Sequence, residues 1–453
     1  MTTLRMRRPL TCVLAAAALA AVGLVATAPQ PARAQDSSAQ APPQADAAAI
    51  GAGNWCSRLP PGYGHPPANL TPLSLQVLQR SIEPVPATDG LIHLAYVAQA
   101  TNTQATPATI VGVVPVDPIA GFVPTGTNLI TDEQGRSVAG KVKLFVTSPD
   151  STLPDDGPEM EPPTAFSASV PAGNSGLMFF DVTYTDPAQI PRLLSHAITL
   201  AAPDGGPGVA GLTNPVPVGC RALAVVHPPL VGQGWTAFNA CCTYAAYHRT
   251  AVPPVNGLLQ AGQQFAIDYI QIGPDNTCCH GPVAAVTSWY GYGTPVLAAA
   301  PGVVVEVTNG MPDQEPVGTI TPLPPARITG NSIIEYIGAG QYALYAHLKP
   351  GTIPVSIRQG ARLRTGDLIG RVGNSGNSGA PHLHFQLMDN SSFADATGLP
   401  FVFDTQVLEG RVSEVAIDEL VKGLAVTIDR TGTGRRLSLM PARNGVFGYN
   451  LSQ

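Results

Sequence analysis

Apolar positions along this chain fall in short runs, many with a period of two. The first set is "GLIHLAYVAQATN" (90–102), "PATIVGVVPVD" (107–117), "KVKLFVTSPD" (141–150), "SGLMFFDVTYTD" (175–186) and "RLLSHAITLAA" (192–202). Pro, Gly, Asp and Asn stand between the runs, where strands end. The spacing predicts an immunoglobulin-like β-sandwich over 56–225, without that family's cysteine signature. A second set follows: "QQFAIDYIQI" (263–272), "PVLAAAPGVVVEVTN" (295–309), "NSIIEYIG" (331–338), "QYALYAHL" (341–348), "LIGRVGN" (368–374) and "PHLHFQL" (381–387). These predict an antiparallel β-sheet domain over 228–405, so the fold class is all-β. Residues 406–453 read as a C-terminal tail with one strand in "GLAVTID". No internal repeat or coiled coil is visible.

The ends and the composition narrow the setting. Arg5, Arg7 and Arg8 precede the Ala-rich run "LTCVLAAAALAAVGLVATA", and "PARA" closes it with small residues at cleavage spacing. Residues 1–34 therefore read as a secretory signal peptide, and the Gln-, Ala- and Pro-rich 35–55 as a disordered leader. The competing reading of the first segment is an uncleaved anchor; no other stretch could span a bilayer. The expected location is secreted or periplasmic, in the cell envelope. Only 12% of the residues are charged, and the net charge of −6 is spread along the chain. No basic stripe appears, so nucleic acid is excluded as a partner.

Beyond the signal stand Cys56, Cys220, Cys241, Cys242, Cys278 and Cys279. An even number in an exported chain points to disulfides. The two adjacent pairs are expected to bridge to each other. The competing reading, a thiolate metal site in "CCH" (278–280), fits an oxidising compartment less well. The acidic stretch "PDSTLPDDGPEMEPP" (149–163) reads as a solvated loop, and its spacing does not fit an EF-hand. His93 and His196 read as single packed or surface histidines within strands.

Chemistry concentrates in the second domain. In "SGAPHLHFQL" (378–387), strand alternation sends His382 and His384 to one face and Leu383 to the other. "YALYAHLKPG" puts His347 at the end of another strand, and "FAIDYI" puts Asp268 in a third. Gly-rich turns lie in "GYGTPVLAAAPGVVVEV" and "GDLIGRVGNSGNSGAPHLHF".

This ordered series, over roughly 263–388, resembles the lysostaphin/LytM-type zinc metalloendopeptidases, which cut peptide cross-bridges of bacterial cell walls. The resemblance implies zinc as cofactor, Asp268 and His384 as ligands, and His347 and His382 as the histidines that handle the attacking water and the oxyanion. Zinc lowers the pKa of water to roughly 7, and an imidazole of pKa near 6.5 can accept and return its proton. The implied partner is peptidoglycan peptide, with the N-terminal sandwich spacing, positioning or covering the groove.

One motif departs from the pattern. The family's first ligand is a histidine four residues before the aspartate, with glycine between. Here Gln264 and Ala266 take those places. A neutral amide is a poor zinc donor beside imidazole and carboxylate. His248 upstream and His280 downstream are the candidates to replace the missing ligand. Two functions remain open at this point: an exported zinc endopeptidase, or an inactive LytM-type domain that binds peptidoglycan or regulates another wall hydrolase.

Overall fold

The computed structural model describes Cys56 and residues 66–449, except 67, 69, 72, 129–141, 145–165, 203–207, 209, 243–246 and 322. The signal, the leader and the acidic stretch 149–163 lie outside the described residues. The described residues from Cys56 onward belong to one compact unit.

The N-terminal region contains strands β1 (Leu73–Val77), β2 (Ile92–Asn102), β3 (Ala108–Asp117), β4 (Ser175–Tyr184) and β5 (Leu193–Leu200). In one sheet β2 lies between β1 and β4; in the other β3 pairs β5. These pairings are antiparallel, and the register sets Ala95 opposite Asp181 and Tyr96 opposite Phe180. Leu94, Tyr96, Phe180 and Val182 of the first sheet share a core with Ile110, Val113, Ile198 and Leu200 of the second. Two sheets on one core make the sandwich that the alternating pattern predicts. A disulfide joins Cys56 to Cys220.

The second region is built on one long sheet. Its strands are β6 (Ala224–Val226), β7 (Gly232–Phe238), β8 (Ile267–Gln271), β9 (Gly302–Thr308), β10 (Asn331–Gly338), β11 (Gln341–Leu348), β12 (Arg362–Leu363), β13 (Leu383–Met388), β14 (Phe401–Arg411), β15 (Gly434–Leu439) and β16 (Gly445–Tyr449). The order is β6-β14-β16-β7-β8-β13-β11-β10-β9-β12, with β15 on β14. Two short helices are used below: α1 (Tyr247–Thr250) and α2 (Glu414–Leu420). Strand β13 is buried along its whole length, which places it at the centre, between β8 and β11.

Two sequence expectations change here. Residues 406–453 are not a tail: β14, β15 and β16 complete the sheet, and β16 is inserted between β14 and β7. The five-residue run "GVFGY" is buried throughout, and "GLAVTID" contributes a single bridge, Asp429 to Arg411. The adjacent cysteine pairs do not bridge to each other. Cys241 is bonded to Cys242, while Cys278 and Cys279 are free, buried thiols 2.9 Å apart. The register explains why: Phe238 lies opposite Asp268, near the start of β8, so 241–242 and 278–279 fall beyond opposite ends of that strand. His93 and His196 are both buried. His93 stands between Asp181 at 2.8 Å and Asp89 at 3.0 Å, and His196 Nε2 meets the Tyr96 hydroxyl at 2.6 Å.

One buried acid makes the stability depend on pH. Glu335 on β10 is fully buried; its Oε2 accepts from the Tyr345 hydroxyl at 2.9 Å and its Oε1 has no partner. Burial pushes its pKa up from 4.5 to about 7, the Tyr345 bond only partly opposing this. A carboxyl raised on folding contributes stability below its unfolded pKa that is lost as pH rises through the folded value. Between pH 4.5 and 7 this group is therefore expected to withdraw about 3 kcal/mol. Glu335→Gln keeps the acceptor and removes the proton equilibrium. Urea unfolding at pH 5 and pH 8 is expected to show a smaller loss of stability in the variant than in the parent chain. Equal losses in both would refute the assignment.

Candidate functional site

Strand pairing builds the centre of the site. β8 and β13 are antiparallel, with Asp268 directly opposite His384, and His384 in turn lies opposite Ala346 on β11. His347 follows Ala346 at the end of β11. His382 directly precedes β13, two residues from His384 and therefore on the same face. Asp268, His347 and His384 are buried, and the His382 side chain is 12% exposed. The His347 and His382 rings are 4.7 Å apart, and those of His347 and His384 are 5.9 Å apart.

Of the two replacement histidines, only one reaches this cluster. His248, on α1, brings Nε2 to 3.2 Å from Asp268 Oδ2, and its ring lies 4.9 Å from that of His384. Ligand atoms of His248, Asp268 and His384 all lie within 4.8 Å of one another. His280 is exposed and its ring packs on Tyr290, so the expectation for His280 fails. The chain reaches it only after β8 has run its length away from Asp268. Gln264 is buried but is committed elsewhere: its Nε2 donates to the Ala95 carbonyl, and its Oε1 accepts from Gln79 Nε2.

The outer partners fix which nitrogen of each ring carries the proton. Nδ1 of His248 donates to the Ala266 carbonyl at 3.1 Å, Nδ1 of His347 to the Ser375 carbonyl at 2.8 Å, and Nδ1 of His382 to the Ala380 carbonyl at 2.7 Å. Nε2 of His384 meets Gln386 Oε1 at 2.8 Å, and Gln386 Nε2 donates to the Gly262 carbonyl at 3.0 Å, which settles the orientation of that amide. The inward nitrogens then present lone pairs. Those of His248, His382 and His384 stand 3.2, 3.3 and 3.0 Å from the Asp268 carboxylate.

Lone pairs facing a carboxylate repel unless a proton or a metal cation stands among them. Two imidazoles and a carboxylate are donor types that zinc takes at about 2.0–2.2 Å, with ligand atoms roughly 3.3 Å apart in a tetrahedron. The donor set of His248, Asp268 and His384 fits that ion in type and spacing.

Without an ion, protons on the imidazoles take a cation's place beside Asp268. Burial alone would raise Asp268, but the charges and hydrogen bonds of His248 and His382 hold it well below the usual carboxylate range. Burial, then His382 and His384, push His347 well down. His382 is lowered by burial, yet Asp268 beside it leaves the balance raised. His384 stays lowered by burial despite Asp268.

Several supporting residues were not legible in the sequence. Asn239, just after β7, donates through Nδ2 to Asp268 Oδ2 at 2.9 Å; only the β7–β8 pairing reveals it. Gln386 could have been found, because it lies two residues after His384 on one strand face. His347 has φ +61, a left-handed backbone rare for a residue with a side chain. It is held by His347 N–H to the Thr329 carbonyl at 2.9 Å and by its ring bond to Ser375. Ser375 Oγ donates to the Leu348 carbonyl at 2.7 Å and accepts from Asn331 N–H at 2.9 Å. The Gly-rich turn fits tightly here. A Cβ on Gly376 would lie 2.3 Å from the backbone nitrogen of Gly330.

Residues 285–396 match the family model for peptidase family M23. The matched stretch contains His347, His382 and His384, while His248 and Asp268 lie upstream of it. Among solved structures, the chain is similar to the catalytic domain, in a point-mutant form, of the prophage-encoded M23 protein EnpA from Enterococcus faecalis. The identity is 20%, covering 39% of this chain and 95% of that one, with a TM-score of 0.22. It is also similar to the catalytic domain of the antimicrobial peptidase lysostaphin from Staphylococcus simulans, at 22% identity over 37% and 86%, with a TM-score of 0.20. A zinc containing peptidase from Vibrio cholerae aligns at 16% identity over 50% and 51%, with a TM-score of 0.22. A search of curated proteins finds no match.

Proposed function

We propose that this chain, which carries a peptidase family M23 domain, is an exported zinc-dependent endopeptidase that hydrolyses peptide cross-bridges of bacterial peptidoglycan. The observation that supports it most is the set of His248, Asp268 and His384, with lone pairs turned inward and His347 and His382 beside them. The substrate class follows the resemblance of 263–388 to cross-bridge-cutting enzymes, and export follows the signal-peptide reading of residues 1–34 and the paired cysteines.

His248, Asp268 and His384 would hold the metal. Bound zinc supplies Lewis acidity and lowers the pKa of water held at the site. Asn239 and Gln386 orient two of the ligands through the bonds described above. His347 and His382 present Nε2 towards the same space, each with Nδ1–H tied to a backbone carbonyl. One Nε2 takes the proton of the attacking water as its oxygen bonds the peptide carbon. The other ring, protonated, donates to the carbonyl oxygen as that atom gains the electron pair. The proton taken from water then passes to the departing amine nitrogen, and the C–N bond breaks.

The test uses the mature chain and purified peptidoglycan. One zinc per chain is expected by elemental analysis, together with new amino termini in the wall digest. A chelator is expected to abolish the release and added zinc to restore it. A chain without zinc would refute the metal centre. A chain with zinc that binds the wall but releases no amine would refute the hydrolase and leave a binding or regulatory domain.

A further inference from the structure

The replacement ligand is held only partly by the sheet that carries the rest of the site, through Tyr247 N–H to Asn239 Oδ1 at 3.3 Å and His248 Nδ1 to the Ala266 carbonyl at 3.1 Å. α1 is one turn long, too short to be stable by itself. Successive residues on a helix point about 100° apart, so His248 and its neighbour Arg249 face different ways. His248 faces Asp268. Arg249 enters the sandwich, is 1% exposed, and donates through Nη2 to the Phe180 carbonyl on β4 at 2.8 Å. Its Nε and Nη1 have no hydrogen-bond partner. The segment leading on to β8 is bound to the same surface. Val252 and Ala261 belong to the sandwich's own core, and Gln264 bonds the Ala95 carbonyl on β2. Ala95 and Phe180 sit on paired strands one register step apart. Both ends of 249–264 are thus fastened to one small patch of the sandwich.

We infer that the N-terminal sandwich is a structural part of the metal centre, with Arg249 as the positioning residue that sets His248 against Asp268. In this chain the position the family gives to its first ligand, Gln264, has become an attachment point for the sandwich. The ligand itself has moved to the other end of the attached segment. Removing Arg249 therefore acts on the metal through His248 alone.

This inference rests on the metal site proposed above, and a mutant cycle on the mature chain separates the two. Arg249→Met keeps much of the side-chain length, and Asp181, which Arg249 faces electrostatically, keeps His93 as its partner, so the metal-free chain is expected to stay folded, as its melting curve reads. Its zinc dissociation constant, measured against a chromophoric chelator, is expected to increase about 10- to 100-fold, the range typical of ligand-orienting partners. His248→Ala combined with Arg249→Met is expected to bind no more weakly than His248→Ala alone. Amide exchange of the metal-free protein gives a readout independent of zinc. The Ala251 amide, bonded to the Tyr247 carbonyl at 3.1 Å, is expected to lose protection in Arg249→Met while β13 amides keep theirs. Gln79→Leu, which removes one of Gln264's two bonds to the sandwich side, is expected to shift zinc affinity in the same direction by less. Unchanged affinity and exchange in Arg249→Met, or losses that multiply in the double variant, would overturn the inference. A parent chain that takes up no zinc would overturn the metal site, and the exchange result would still decide whether Arg249 holds α1.

Discussion

Replacing His248 with alanine is expected to lower zinc affinity about 100- to 1000-fold and to remove hydrolysis at limiting zinc. Four-ligand structural zinc sites bind with about 10–16 kcal/mol, so one protein ligand represents about 3 kcal/mol, or two to three decades. The change is large because His248 is one of only three side chains assigned to the ion. Gln264 stands at the family's first-ligand position. Its amide is already bonded to Ala95 and Gln79 on the sandwich side. Gln264→His is therefore expected not to rescue His248→Ala, since a ring at 264 starts from a backbone aimed at the sandwich. Asp268 and His384 remain on paired strands in the variant, so its fold is expected to persist and its metal-free melting temperature to stay close to that of the parent. Zinc titration with a competing chelator, run on both single variants and the double variant, checks this. Parental affinity in His248→Ala, or full rescue by Gln264→His, would show that the third ligand is elsewhere.

The sequence carried most of this site because strand periodicity is a local property. His382, His384 and Gln386 share a face by alternation alone, and Asp268 sits in a run that reads as a strand. The missing ligand was legible as an absence, since the amide of Gln264 is the wrong donor. Its replacement was not legible. His248 and His280 flank Asp268 in sequence, and only the direction in which β8 runs decides between them. Residues before β8 turn back along the sandwich and past the carboxylate; residues after it leave from the far end. The same directionality separated the cysteine pairs. Residues 406–453 misled for a different reason. They read as a tail with one strand in "GLAVTID", while the run that goes between two other strands of the sheet is the short "GVFGY". Strand order within a sheet is a long-range property, and a five-residue strand inserted inside it has no signature that distinguishes it from one at an edge.

The two histidines outside the ligand set supply the sharpest contrast with His248. His347→Gly and His382→Ala are each expected to lower kcat about 10²- to 10⁴-fold, the usual contribution of a positioned acid or base, while zinc content stays at one per chain. Glycine is the informative choice at 347. The residue's φ of +61 is one that glycine adopts freely, so the substitution removes the ring and releases about 1–2 kcal/mol of backbone strain. The released strain offsets part of the cost of losing a buried ring and its Ser375 bond, and a metal-free melting curve of the same variant separates chemistry from folding. KM is expected to change little, because the ring's Nε2 acts on atoms in reaction and its Nδ1–H is spent on the Ser375 carbonyl. The two losses are expected to be non-additive. The rings stand 4.7 Å apart and handle one water and one carbonyl, so the double variant should lose little more than the worse single one. Steady-state rates on a defined cross-bridge peptide, with zinc content measured on the same samples, decide the matter. If zinc leaves His347→Gly as it leaves His248→Ala, the ring is a ligand. If kcat falls less than about tenfold in both variants, proton transfer at this site runs through other groups.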